Sequence, residues 1–291
     1  MLKFFSRLAH LSRRPYSLAL AFLAFGITIL IGEPGLLWAQ QTDDLELGRR
    51  AATAEPPQGL SASQLKISLG AGLISAPEFE GGKKYEVRVL PVVELAYDRL
   101  FLSLSKGLGF RVIDDGTFTV APSIRYWSGR DENDSHLLKG LGDVDDGLAA
   151  GAMLSYSPGD LTIFLNGYHG LGDADGLTLE AGAAVTHQFL ENLHASAEIS
   201  TMFADEDYNQ RYFGINAKQA RDSRYRVYHA DSGFKHVALG GTVSYSLTKS
   251  INLGLFGEYK LLTGPAADSP LVKRGSKNQI SSGLMLGFNL R

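Results

Sequence analysis

No cysteine occurs among the 291 residues, so neither a disulfide framework nor a lipoprotein acylation site is available. No apolar run approaches the ~20 residues that a spanning helix needs; the longest, 18–31, has 14. Catalytic signatures are missing as well: there is no Gly-x-Ser-x-Gly elbow and no His-Glu-x-x-His. Nor is there an excess of positive charge, with 28 Lys and Arg against 31 Asp and Glu. That balance argues against a nucleic-acid partner. What the chain has instead is alternation. Leu284, Leu286, Phe288 and Leu290 alternate with Met285, Gly287, Asn289 and Arg291, as in a strand with one apolar face. The same period recurs back to Leu65, punctuated by Gly, Asp and Pro turns.

The N-terminus reads as an export signal. Lys3, Arg7, Arg13 and Arg14 precede the apolar run 18–31, and Pro34-Gly35 breaks it. Leu37-Trp38-Ala39 then offers a cleavage site, which makes residues 1–39 a signal peptide. The run is too short for a retained anchor, and Arg13-Arg14 reads as ordinary signal charge rather than a twin-arginine signal. Cleavage would remove four basic residues and one acid, leaving 24 against 30 and a net charge of −6. Residues 40–63, with Pro56-Pro57 and few large apolar groups, read as a flexible periplasmic leader. Residues 64–291 form one domain.

In that domain the alternation predicts an all-β fold: a transmembrane, antiparallel, up-and-down β-barrel of about twelve strands. The predicted strands are 65–75, 85–97, 100–105, 109–113, 117–127, 147–157, 160–169, 177–190, 192–203, 234–247, 251–262 and 277–291. The third and fourth are short, and without them the count falls to ten. Tight turns at 97–99, 114–116, 157–160, 191–192 and 248–250 alternate with longer connections at 76–84, 128–146, 170–176, 204–233 and 263–276. Short periplasmic turns and long extracellular loops require that order, and it places both ends of the barrel chain in the periplasm.

One face of these strands carries Val87, Val89, Val93, Leu95, Leu148, Ala150, Leu154, Leu193, Ala197, Ile199, Val237, Leu239 and Val243. It holds no acid, Lys or Arg at these positions, as a lipid-facing surface demands. Tyr85, Tyr97, Tyr126, Tyr156, Tyr245, Tyr259 and Phe288 lie on it near strand ends, where aromatic girdles sit. The opposite face carries Glu86, Arg88, Glu94, Arg125, Glu180, His194, Ser196, Glu198, Glu258 and Lys260. Mixed charges in a confined lumen favour a paired, hydrogen-bonded network, which either fills a small barrel or lines a narrow pore.

Three further features invite chemistry. His194, Ser196 and Glu198 share the inner face, but nothing marks an oxyanion site beside them, so they read as lumen hydrogen bonding. His187, on the outer face near the turn end, reads as an interface residue. Gly140-Leu141-Gly142-Asp143-Val144-Asp145-Asp146-Gly147-Leu148 nearly repeats as Gly170-Leu171-Gly172-Asp173-Ala174-Asp175-Gly176-Leu177. Carboxylates in that spacing suit Ca²⁺, but neither copy has the downstream bidentate Glu of an EF-hand, and Asp and Gly are the ordinary turn residues. No catalytic, cofactor or metal site is therefore assigned. The longest loop, 204–233, interleaves Arg211, Lys218, Arg221, Arg224 and Arg226 with Tyr208, Tyr212, Phe213, Tyr225 and Tyr228. It suits either lipopolysaccharide phosphates and a surface partner or a plug folded over the lumen.

Tyr208-Asn209-Gln210-Arg211-Tyr212-Phe213-Gly214-Ile215, followed by Ala220, Ser223 and Tyr228, resembles the Tyr-Phe-Gly-Val block of the MipA/OmpV outer-membrane family. Pro77-Glu78-Phe79-Glu80-Gly81 resembles its first-loop motif, and Ala266-Ala267-Asp268-Ser269-Pro270-Leu271-Val272 its Ala-Asp-Ser-Pro-Ile-Val segment. The family usually closes on an aromatic residue, where this chain has Leu290-Arg291, and tends to have Gly where Arg224 stands. The resemblance implies a non-enzymatic protein of the outer membrane. It implies a scaffold joining a murein transglycosylase to a murein synthase, or a surface adhesin; the charged lumen adds a small-solute channel as a further alternative.

Overall fold

The computed structural model describes residues 65–290, one residue inside each end of the predicted barrel domain. The predicted signal peptide, the leader and Arg291 lie outside the described residues. The strands are β1 (Leu65–Pro77), β2 (Tyr85–Tyr97), β3 (Leu100–Ser103), β4 (Gly107–Phe110), β5 (Ile113–Asp114), β6 (Phe118–Trp127), β7 (Gly147–Tyr156), β8 (Leu161–Leu171), β9 (Leu177–Leu190), β10 (Leu193–Ala204), β11 (Gly233–Ser246), β12 (Ile251–Leu262) and β13 (Asn278–Leu290). Each pairs antiparallel with its sequence neighbour, apart from the break at β4 and β5. Two pairings close the ring. β1 runs beside β13 from Ile67↔Leu290 to Ser75↔Ser282, and β4 meets β6 at Leu108↔Ile124 and Gly109↔Ser123. Closure is what lipid demands, since a free sheet edge would leave N–H and C=O groups with nothing to bond.

β5 continues β4 along the same partner, through Ile113↔Val120 and Asp114↔Thr119. Between the two, Arg111 N–H bonds Arg99 O and Val112 N–H bonds Val120 O, so the backbone stays satisfied across the interruption. The barrel therefore has twelve strands, the fourth broken in the middle.

At one end of the barrel every connection is short. Asp98 takes φ 52° in its two-residue turn, and Asp115 Oδ1 accepts from Thr117 N–H and Phe118 N–H at 2.9 and 2.7 Å. At the other end lie 78–84, 128–146, 172–176, 205–232 and 263–277, with the β3–β4 connection the one short exception. These are called the turn end and the loop end below.

The two faces separate as the alternation predicts. Val87 and Val89 are 70% exposed and Leu239 59%, whereas Met285, Lys260 and Ser281 across the wall are almost fully buried. Inside, Ile74, Ala76, Leu90, Val92, Phe256 and Met285 form an apolar patch on the β1, β2, β12 and β13 wall. One irregularity redirects side chains. The β10–β11 register slips between Met202↔His236 and Phe203↔Phe234, so Lys235 is the extra residue of a bulge and both Lys235 and His236 point inward.

Candidate functional site

The loop end is roofed. Residues 205–232 fold into α1 (Glu206–Phe213) and α2 (Ala217–Asp222), and 263–277 into α3 (Gly264–Asp268) and α4 (Pro270–Arg274). Local signals start each helix. Asp205 caps α1 by accepting from Tyr208 N–H, with Glu206 and Asp207 favourably placed in its first turn. Asn216 and Gln219 form a reciprocal capping box on α2, and Ser269 caps α4 ahead of Pro270.

α1 lies across the lumen. Its Tyr208 meets Trp127 of β6 edge-on at 5.2 Å and carries the Lys235 ammonium of β11 over its ring. Asn209 is fully buried and donates from Nδ2 to Ala204 O and Asp231 O, tying α1 to both ends of the β10–β11 connection. Tyr212 donates its hydroxyl to Ser128 O, and Arg130 Nη1 returns a bond to Tyr212 O, both at 2.8 Å. Burial pushes the Tyr212 phenol up, out of any physiological range. Arg211 reaches Asp145 O and Asp173 O at once.

That last contact engages both copies of the near-repeat through backbone carbonyls. Asp145 belongs to one copy and Asp173 to the other, so the two copies form a bracket that holds α1 between them. Gly176 of the second copy sits at φ 127°, and a Cβ there would stand 2.6 Å from Tyr208 N. The repeat's carboxylates bond backbone instead of converging. Asp146 accepts from Gly129 N–H, Asp143 from Glu132 N–H and Asp175 from Gly176 N–H. Among the described residues no three His, Asp or Glu side chains are grouped as metal ligands.

The three family-like motifs meet in this roof. Phe79, Ile215 and Leu271, one from each motif, pack together with Leu137, Leu138, Leu141 and Tyr225. Phe213 packs with Ala230, Leu262, Ala266 and Val272. Ser269, fully buried, donates to Phe213 O at 2.7 Å. Gly81 at φ 95° allows Val272 to approach to 2.6 Å of where its Cβ would be. Gln279 of β13 holds the first loop through Gly81 N–H and Gly82 O, each at 3.1 Å. Asp268 stays on the surface, paired with Lys273 at 3.0 Å. The long loop folds over the lumen as a roof and leaves Lys218, Arg221 and Arg226 exposed. Arg224 donates to His136 O at 3.5 Å on the exposed side of the roof.

The lumen residues divide by height. Glu86 and Arg88 pair at the rim of β2, and Arg88 also donates to Glu78 O at 3.0 Å. Arg125 lies over the Tyr168 ring at 4.7 Å. Asn166 donates to Glu180 at 3.3 Å, and Lys260 pairs with Glu258 at 3.4 Å. Glu198 and Glu258 flank Gly240 in one row across β10, β11 and β12, while Glu94 stands nearer the turn end opposite Ser103. Ser196 bonds Thr242 at 2.7 Å, so its hydroxyl serves the β10–β11 wall. His187 bonds Asp160 at 2.6 Å on the exposed turn end. Beneath the roof remains a partly open cavity of about 50 Å³, lined by Phe79, Glu80, Arg125, Trp127, Arg130, Thr178, Met202, Tyr208, Tyr212, Phe213, Lys235 and Lys260 among others.

Two of these linings escaped the sequence reading. Lys235 was signalled by Phe234 and Val237 standing three apart where alternation demands two. Arg130 sits in a loop that gave no period to read.

The family model of MltA-interacting protein MipA matches residues 69–289, the roof and all of the barrel but the first four residues of β1 and the last of β13. The chain belongs to the MipA family. Its barrel is also similar to the translocator domain of the autotransporter NalP from Neisseria meningitidis, at 12% identity and TM-score 0.43 over 84% of this chain and 94% of that one. For the outer-membrane channel DcaP of Acinetobacter baumannii the values are 10%, 0.36, 79% and 98%. For the N-terminal β-barrel domain of Pseudomonas aeruginosa OprF they are 10%, 0.25, 78% and 100%. A comparison with curated proteins finds no match. The closed ladder itself, not these likenesses, establishes the barrel. Family and lipid-facing belt together make this a protein of the outer membrane.

Proposed function

We propose that this MipA-family barrel is a non-catalytic scaffold for peptidoglycan-remodelling enzymes, holding a murein transglycosylase and a murein synthase at the outer membrane. The observation that carries this is the roofed and filled lumen. Tyr208, Tyr212 and Phe213 stand over it, and Glu258–Lys260 and Lys235–Glu80 pair within it. A bore meant for solutes would keep its charges lining open water, so a roofed barrel suits docking better than conduction. The family's name, MltA-interacting protein, supports the partner.

Docking would use the turn end, which faces the periplasm in this reading. Its connections carry Asp98, Asp115, Asp160 and Glu191 against Arg99 and Lys249, an acidic surface that favours a basic partner. The belt of Val87, Val89, Ile199 and Leu239 contacts membrane lipid, and the roof's exposed Lys218, Arg221 and Arg226 face lipopolysaccharide.

The test is an affinity capture from detergent-solubilised envelopes, paired with planar-bilayer recording. Murein enzymes should co-purify with the intact barrel and with a barrel whose 205–232 connection is shortened. Charge reversal at Asp98, Asp115 and Glu191 should abolish capture. Large, stable conductance of the intact protein, with no murein enzyme retained, would refute the scaffold and favour the channel. Loss of cell attachment on shortening the loop would favour the adhesin.

A further inference from the structure

We propose that the barrel wall carries a lateral window between β2 and β6, at membrane depth, that takes the alkyl chain of a single-chain lipid from the surrounding bilayer. This inference concerns the wall and stands independently of the scaffold reading.

The window follows from the shortness of β3 and β4. β3 pairs with β2 from Glu94↔Ser103 to Tyr97↔Leu100, and β4 meets β6 at Leu108↔Ile124 and Gly109↔Ser123. β2 runs on to Tyr85. Among the described residues no strand flanks Tyr85–Val93 on that side, and no ladder joins β2 to β6. Two strands, each about 4.8 Å wide, are thus missing from the loop half of the wall. The connection 104–106 forms the sill, where the Ser103 and Ser105 hydroxyls bond at 3.0 Å and Lys106 N–H donates to Ser103 Oγ. Phe79, packed on Leu137 and Leu138, closes the top.

The bare edge lies within the lipid-facing belt. Val87 and Val89 are 70% exposed, more than any other large apolar side chain among the described residues. Even-numbered residues of β2 turn their backbone groups to β1, the sense in which Glu78 N–H bonds Lys84 O, so odd-numbered ones turn to the gap. Val87 and Val89 therefore aim N–H and C=O, and Pro91 its C=O, where no strand receives them. Such an edge is tolerated at membrane depth only where it meets protein or lines water. A partner strand is one cover, but Pro91 removes a donor that its ladder would need, as proline does on edges kept from pairing.

A hydrated gap between apolar margins suits an amphiphile. Its polar head and bound water satisfy the edge, while its chain covers Val87, Val89 and Ile124. Leu90 and Val92 of β2 continue the apolar surface inward to Phe256 and Met285. The cavity beneath the roof lies behind the opening, because Phe79 and Glu80 line it from the β2 side and Arg125, Trp127 and Arg130 from the β6 side. Its side chains carry both signs, which suits a zwitterionic head turned toward it.

The probe is lysophosphatidylcholine with a diazirine in its chain, added to the full-length protein in phosphatidylcholine vesicles. Irradiation should label inward-facing Leu90 and Trp127 beside the window and spare inward-facing Ala184 and Ala238 on the unbroken β9–β11 wall. Excess unlabelled lysophosphatidylcholine should suppress these inward labels and leave belt labels, such as that on Leu239, in place. Val87→Ser combined with Val89→Ser should raise the half-saturating concentration about tenfold, the loss expected for roughly two methylenes of apolar contact. Leu239→Ser combined with Val243→Ser should leave it unchanged, with heat-modifiable mobility confirming that both variants fold. By NMR, the Val87 and Val89 amides should exchange faster than those of Glu86 and Arg88, which face β1. Labels confined to the outward belt, inward labels that do not saturate, or equal losses from the two double variants would overturn the proposal. So would protection of Val87 and Val89 equal to that of Arg88, the sign of a strand on the edge.

Discussion

Replacing Asn209 by alanine should release the roof while leaving the barrel folded. The side chain is fully buried, and its amide nitrogen donates to Ala204 O at 3.1 Å and Asp231 O at 2.9 Å. The Ala204 carbonyl, left buried without a donor, costs roughly 1–3 kcal/mol, while the Asp231 carbonyl is only part-buried and adds less. At the lower bound the open roof becomes roughly fivefold more populated. Hydrogen exchange followed by mass spectrometry reads this directly. Peptides from 205–232 should exchange faster in the variant, while those from β12 should not change. Asn209→Asp separates donor from shape. It keeps the volume, removes both donors and sets a carboxylate against two carbonyl oxygens, so it should loosen the roof at least as much as alanine. If Asn209→Asp is milder than Asn209→Ala, or if β12 exchanges as fast as the roof, the amide is not the latch described above.

Other outcomes follow from the same structure. Arg211→Met should free the bracketing loops 128–146 and 172–176 together, seen as coincident new protease cleavages in both; cleavage in one alone would break the bracket. Gly176→Ala forces a Cβ to within 2.6 Å of Tyr208 N at φ 127°, so it should displace α1 and shift Trp127 emission, and an unchanged spectrum would count against that contact. Leu239→Arg places a charge on the lipid face at a cost of roughly 2–4 kcal/mol, and should deplete heat-modifiable folded protein where Leu239→Phe does not. Lys218→Cys should react with an impermeant thiol reagent on whole cells and Lys249→Cys should not; the reverse pattern would invert the orientation.

The wall was legible because lipid enforces it. A residue such as Leu239 or Val89 faces hydrocarbon and its neighbours face a crowded lumen, so the period of two survives along whole strands. Where that constraint relaxes, the pattern blurs. β3 and β4 are four residues each, and the reading of 100–105 and 109–113 misses that the break falls at Arg111-Val112, because the backbone there is satisfied by Arg99 and Val120. The roof was legible only in pieces. Asp205, with two acids in the following turn, and the spacing of Asn209 with Phe213 are helix signals on a short segment. Which loops would meet depended on tertiary packing, and nothing local joins Phe79 to Ile215 and Leu271.

The bulge at Lys235 shows how a wall built by one rule acquires a second use. Strict alternation would send Lys235 or His236 into lipid, where a charge is costly. One extra residue against Met202 turns both inward and bends β11 under α1. The ammonium then has two partners that no strand could supply alone: the Glu80 carboxylate from the first loop and the Tyr208 ring from the helical loop. The first and third of the family-like segments also meet directly, at Gly81 and Val272. Motifs far apart in sequence are thus linked through a site in the lumen as well as through the apolar packing above it. A scaffold needs only a rigid roof, and Phe213 with its neighbours would provide one.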